Sequence, residues 1–192
     1  MTTPYVAQRA ARSEQVPLRG LSYHCLVWGD ASLVSAQTPL LVLTHGWMDV
    51  GASFQFVVDA LAAIEGERRM IVAPDWRGFG GTHCTTDSYW FADYLGDLDA
   101  LVAHYSPNAP IDLLGHSMGG NVVMSYAGVR PARIRKLINL EGFGLPATKP
   151  EDATKRLVQW LDELQTPQAL APYADAAAVA ARLTKNNPRL SA

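Results

Sequence analysis

The chain has 192 residues, 48% hydrophobic and 18% charged, with a formal net charge of −2. That is the composition of an ordinary globular domain long enough to bury a sizeable core. It lacks the basic excess that holds nucleic acid or an anionic membrane surface. The first twenty residues mix Arg9, Arg12, Glu14 and Arg19 with small polar residues and do not form the apolar core of a signal peptide, and no segment reaches the length of a membrane span. The two cysteines, Cys25 and Cys84, lie far apart without metal-ligand spacing and read as free thiols of a reducing compartment, so a cytoplasmic protein is expected.

In chain order, residues 21–28 alternate apolar and polar between Gly20 and Gly29-Asp30, which predicts one arm of an antiparallel edge hairpin. Short, nearly continuous apolar runs follow at 40–43, 70–73 and 111–114, with a weaker one at 136–140. Such runs suit strands buried on both faces of a parallel sheet. Between them lie segments with helical spacing, marked by Phe54, Val57, Leu61 and Ile64, by Trp90, Tyr94, Leu98 and Leu101, and by Val122, Val123 and Tyr126. Strand and helix alternate, so the expected class is α/β, a doubly wound, mostly parallel sheet. Thr148-Lys149-Pro150-Glu151 reads as a capping box opening a helix with Leu157, Trp160, Leu161 and Leu164 on one face, and a second helix is expected over about 175–185. The domain reading is a core over 1–146 and a helical segment over 147–192.

The chemistry is carried by Gly115-His116-Ser117-Met118-Gly119-Gly120, which follows one apolar strand and opens an apolar helix. In that strand–turn–helix setting, G-x-S-x-G holds its serine in a sharp, strained turn with the hydroxyl above the sheet. Ser117 is the candidate nucleophile, and the backbone N–H of Met118 can donate to a developing oxyanion at the helix N-terminus. Thr44-His45-Gly46-Trp47-Met48-Asp49 follows the strand 40–43, and its turn offers the Trp47 N–H as a second donor. Asp75-Trp76-Arg77-Gly78-Phe79-Gly80 should shape a loop at the same edge of the sheet, where open α/β sheets place their sites.

The ordered motifs HGWMD, DWRGFG and GHSMGG, each after a strand, resemble the α/β-hydrolase superfamily and are similar to its serine-hydrolase-like branch over roughly residues 18–190. The resemblance implies a serine esterase or related acyl hydrolase needing no metal or cofactor, with a small-molecule substrate and a helical lid beginning near 147. Serine in place of the aspartate of similar dehalogenases and epoxide hydrolases disfavours those activities. A serine nucleophile also needs a base oriented by a carboxylate. Glu141, after the strand 136–140, is the candidate acid. His45, Phe79, His116, Phe143 and Trp160 are candidates for the substrate pocket, with His45 and His116 also serving to shape their turns.

The family pattern places its base after the nucleophile, whereas His24, His45, His83, His104 and His116 all precede Ser117. Of these only His83 is considered as a stand-in. The last two strands of the family sheet, with the histidine loop, are expected to be absent, as in a C-terminally truncated hydrolase. The strand 136–140 would then be an apolar edge, and a homodimer through it is one way to cover it. A non-catalytic small-molecule binder and an inactive fragment are the alternative readings.

Overall fold

A computed structural model describes residues 5–84, 89–144, 147–166 and 172–186. The chain divides into two compact units, residues 7–146 and residues 147–192 with 1–6.

The larger unit is built on one six-stranded sheet in the order β1-β2-β4-β3-β5-β6. Its first two strands, β1 (Arg12–Leu18) and β2 (Leu21–Trp28), form the edge hairpin. Arg19 and Gly20 both take positive φ (47° and 80°), the conformation a two-residue hairpin turn demands. Strand β2 runs antiparallel to β4 (Ile71–Pro74), while β3 (Leu41–Thr44), β5 (Ile111–His116) and β6 (Ile134–Leu140) are parallel to it or to one another.

Side-chain alternation along the strands decides which layer each residue joins. Leu40, Val42, Met70, Val72, Ile111 and Leu113 point to one face and pack with Leu98 and Leu101 of α2 (Phe91–Tyr105) and Val122 and Tyr126 of α3 (Met118–Val129). Leu41, Leu43, Ile71, Ala73 and Leu114 point to the other, against Val58 of α1 (Gln55–Glu65) together with Trp28 and Phe54. The near-continuous apolar runs are therefore two interleaved sets, one for each layer. Each large apolar side chain buried this way contributes about 1.5–3 kcal/mol.

From β3 the chain passes through α1 to β4 on one side, then through α2 to β5 on the other side of β3. The winding reverses there, so a crevice opens beyond the C-terminal ends of β3 and β5. Both motif loops leave the sheet at that crevice. At the far edge, β6 pairs with β5 alone among the described residues, and its Leu137, Ile138 and Leu140 are exposed.

In the second unit, α4 (Asp152–Gln165) starts later than the capping-box reading expects. Glu151 stands at its N-cap without a side-chain cap, and the Asp152 carboxylate accepts from the Lys149 N–H at 3.4 Å, so Asp152 takes the part assigned to Glu151, one residue on. Leu157, Trp160 and Leu161 are exposed on α4. Asp175 caps α5 (Ala176–Asn186) by accepting from the Ala178 N–H at 2.8 Å.

Candidate active site

Ser117 joins β5 to α3 with φ 51° and ψ −113°, an unfavourable backbone for any residue with a Cβ. Such conformations cost about 1–3 kcal/mol and persist only where the surroundings enforce them. Here the enforcement is visible. The Ser117 N–H donates to the Leu140 carbonyl at 2.8 Å, tying the turn to the end of β6, and the Asn121 N–H donates to the Ser117 carbonyl at 3.1 Å.

Glycine is required on both sides of the turn. A Cβ on Gly115 would overlap the Gly119 carbonyl, and one on Gly119 would come within 2.7 Å of the His45 carbonyl oxygen. The β3 loop presses on the same turn, since a Cβ on Gly46 would lie 3.2 Å from the Ser117 Cβ. Trp47, whose N–H is the second candidate oxyanion donor, follows directly. The Ser117 side chain makes no capping bond to its helix, so the hydroxyl is not consumed locally.

Under the β3 loop lies His45, fully buried. Its Nε2 accepts from the Trp76 N–H at 2.9 Å, so the ring hydrogen sits on Nδ1, which donates to the Gly46 carbonyl at 2.8 Å. Burial lowers its pKa, with a smaller opposing pull from the Gly46 carbonyl and from Asp75 and Asp49. Both nitrogens being committed, His45 fixes the loops rather than offering a base or a polar contact to substrate. The Trp76 indole N–H adds a bond to the His45 carbonyl at 3.0 Å. Phe79 stacks edge-on against both His45 and Trp47, with centroids 5.5 and 5.4 Å apart, while Trp47 itself is exposed.

His116 is half-exposed beside Ser117, its Nε2 3.9 Å from a Glu141 carboxylate oxygen. Glu141 is exposed at the end of β6 with φ 63°. Its loop is folded by Asn139, whose side chain accepts from the Gly142 N–H at 2.9 Å and donates to the Gly142 carbonyl at 2.6 Å. The Asn121 side chain accepts from the Gly144 N–H at 2.6 Å. Phe143 is exposed, and Trp160 belongs to the other unit. The structure thus gathers His45, Trp47 and Phe79 into one cluster and His116, Ser117 and Glu141 into another.

Among the described residues no histidine is hydrogen-bonded to the Ser117 hydroxyl. His83 is exposed on its loop. His104 ends α2, ahead of β5, and so lies at the opposite end of the sheet from the crevice. His24 is held by Asp75 and Ser13.

Asp75, which opens the loop-shaping motif after the strand 70–73, is the residue that organises these loops most. Asp75 accepts from the Gly51 N–H at 2.7 Å, the Gly81 N–H at 2.8 Å and His24 Nδ1 at 2.7 Å, joining the loops after β3 and β4 to the hairpin. Two residues on, Arg77 is buried and pairs twice with Asp97 of α2, at 2.6 and 2.8 Å. Asp49 accepts from the Val50 N–H at 2.9 Å within its own loop.

The sequence model of the alpha/beta hydrolase fold family matches residues 39–186. The chain belongs to the alpha/beta hydrolase fold family. It is 33% identical over 123 residues to a 3-hydroxybutyrate-oligomer hydrolase of Cupriavidus necator, covering 63% of this chain and 38% of that protein. It is 28% identical over 152 residues to a serine hydrolase-like protein of Danio rerio, covering 78% and 44%. Among solved structures it superposes on a thioesterase domain from the curacin biosynthetic pathway with a TM-score of 0.79 and 31% identity, covering 95% of this chain and 64% of that one. The chain therefore spans about two fifths of the length of these two curated relatives.

Proposed function

We propose that this alpha/beta hydrolase chain carries the nucleophile side of a serine acyl hydrolase acting on small carboxylic esters or thioesters. The observation that carries the reading is Ser117, held at φ 51° on the β5–α3 turn above the crevice with no local bond to its hydroxyl. In this reading Ser117 Oγ bonds to the acyl carbon while its proton passes to an imidazole base. The Trp47 and Met118 N–H groups hold the oxyanion, an arrangement worth about 3–4 kcal/mol per donor in acyl transfer. The tetrahedral intermediate expels the alcohol or thiol, and water then releases the acid. Glu141, at the end of β6, is the proposed carboxylate that orients the base, and the base itself is proposed to be a histidine outside these 192 residues. Trp47, Phe79 and Phe143 are the proposed apolar contacts for the acyl group. The ester and thioester range is supported by the printed names of the relatives, one an oligomer hydrolase and one a thioesterase domain.

A non-catalytic binder is the second reading. It is favoured by one observation, that none of the described histidines is hydrogen-bonded to the Ser117 hydroxyl. Incubation with a fluorophosphonate probe, followed by peptide mapping beside Ser117→Ala, separates the two. Labelling of the peptide containing Ser117, lost in the variant, is the expected outcome for an activated nucleophile. Because the base is proposed to lie outside these residues, the probe is also applied with added imidazole; a Ser117 that stays unlabelled in the folded chain under that condition would overturn the acyl-hydrolase reading in favour of the binder.

A further inference from the structure

We propose that Ser13, His24 and Asp75 form a second acyl-accepting serine site, on the edge hairpin, for small activated esters. It uses none of the groups assigned to the Ser117 reaction.

The hydrogen-bond order follows from the partners. Asp75 accepts two backbone N–H groups, from Gly51 and Gly81, and lies 2.7 Å from His24 Nδ1. A carboxylate surrounded by donors is an acceptor, so the hydrogen between them belongs to Nδ1. In the neutral ring His24 Nε2 is then the acceptor, and Ser13 Oγ, 2.8 Å away, donates to it. Hydroxyl to imidazole to carboxylate is the relation of a serine nucleophile to its base and orienting acid, recognised by geometry rather than sequence position.

The base is held firmly. A Cβ on Gly81 would come within 2.7 Å of the His24 ring, the His24 N–H donates to the Thr82 hydroxyl at 2.8 Å, and its carbonyl accepts from the Asp75 N–H at 2.9 Å. Ser13 itself is exposed.

Hairpin register supplies an oxyanion donor. Leu18 and Leu21 flank a two-residue turn and so form a hydrogen-bonded pair. Counting back, Val16, Glu14 and Arg12 also bond to β2, while Pro17, Gln15 and Ser13 turn their backbone groups outward from β2. Pro17, with no N–H to offer, fits this register. Strand β1 is the sheet edge, so the Ser13 N–H faces away from the sheet beside its own hydroxyl.

The reaction balances without a further reagent. Ser13 Oγ bonds to the acyl carbon of an aryl ester as its proton moves to His24 Nε2. The intermediate collapses, the bond to the aryl oxygen breaks, and the aryl oxide takes the proton from Nε2. Acetyl-Ser13 remains; water then bonds to its carbonyl carbon as a proton passes to His24 Nε2, the bond to Ser13 Oγ breaks, Oγ takes the proton back from Nε2, and acetic acid leaves. One backbone donor replaces a full oxyanion hole, so good leaving groups are required.

The test uses the full chain with Ser117→Ala and p-nitrophenyl acetate, read by nitrophenol release and peptide mass. Expected are one acetyl group per chain on the Ser13 peptide and a burst of nitrophenol, both abolished in Ser13→Ala and about 10²-fold slower in His24→Gln. Acetylation of Ser13 no faster than that of the exposed Ser32 in the same chain overturns the proposal, and this comparison does not depend on how His24→Gln folds. Equal acetylation in a folded His24→Gln overturns it too. Because Ser117 is absent throughout, the result is independent of the Ser117 reading.

Discussion

Asp97 is a buried carboxylate on which two guanidinium groups and a phenol converge, and its removal tests the frame that holds the site. Its two oxygens accept from Tyr23 Oη (2.7 Å), Arg77 Nε (2.6 Å) and Nη2 (2.8 Å), and Arg19 Nη1 (2.8 Å), with Asp97 only 1% exposed. Asp97→Asn keeps the volume but removes the negative charge and turns one acceptor into a donor facing Arg77. The guanidinium is then buried with only Asp93, 3.4 Å away, to balance it. Losing one partner of a buried ion pair costs about 3–5 kcal/mol. For a chain of this size roughly 2–4 °C accompany each kcal/mol, so the melting temperature should fall by about 6–20 °C. The comparison is Arg130→Ala, which removes an exposed pair with Asp99 and should cost under about 1 kcal/mol. Urea titration followed by the fluorescence of the buried Trp28 and Trp76 reads both variants. The variant should also slow labelling of Ser117, because the Arg77 loop carries Phe79 against Trp47. A cost for Asp97→Asn no greater than that for Arg130→Ala would refute the picture of a buried, four-donor carboxylate.

Three further outcomes follow from the same geometry. His45 is buried neutral with a lowered pKa, so its contribution is complete above the unfolded value near 6.5 and is lost as pH falls below it. Unfolding free energy should drop as pH falls below 6.5, by no more than about 1.4 kcal/mol per pH unit from this group, and His45→Gln should flatten that part of the profile in urea titrations; an unchanged slope counts against burial of a neutral ring. Cys25 is fully buried, and burial pushes its thiol up to about 12, whereas Cys84 is half-buried, so a colorimetric disulfide reagent should titrate one thiol in the native chain and two in denaturant. Finally, Ser117→Gly relieves the positive-φ strain that Ser117→Ala keeps, and after the entropy cost of glycine it should be the more stable of the two by about 1 kcal/mol; the reverse order in thermal unfolding would remove the strained-turn argument.

The strands and helices of the core were legible because each is short, apolar and bounded by turn residues. Residues 40–43, 70–73 and 111–114 each fall within a residue or two of an observed strand. The interleaving of their side chains into two layers could not be read, because it depends on strand order. The partner arm of the predicted hairpin, β1, was not located, since Arg12, Ser13, Glu14, Gln15 and Pro17 are polar or proline and only Val16 and Leu18 of this strand are buried. At the site, Ser117 and its glycines were legible because the turn is a local problem. The commitments of His24, Asp75, Arg77 and Asp97 were not, because each spans roughly 20 to 75 residues of sequence.

The conformation of Ser117 does not depend on any catalytic partner. It is fixed by backbone alone, through the Leu140 carbonyl, the Gly119–His45 approach and the pressure of Gly46. His45 locks the loop that carries Trp47 through main-chain atoms of Gly46 and Trp76, again without touching the serine. The proposed nucleophile and the proposed oxyanion donors therefore sit on one backbone construction, set by β3, β5 and the end of β6, while the proposed base and acid are a separate requirement. That separation has a consequence for kinetics. If a histidine is supplied to the folded chain, reactivity should rise without any rearrangement of the elbow, so Ser117 labelling should increase while the unfolding temperature of the core and the near-UV signal of Trp28 and Trp76 stay constant. A base that worked only by refolding the turn would change all three together.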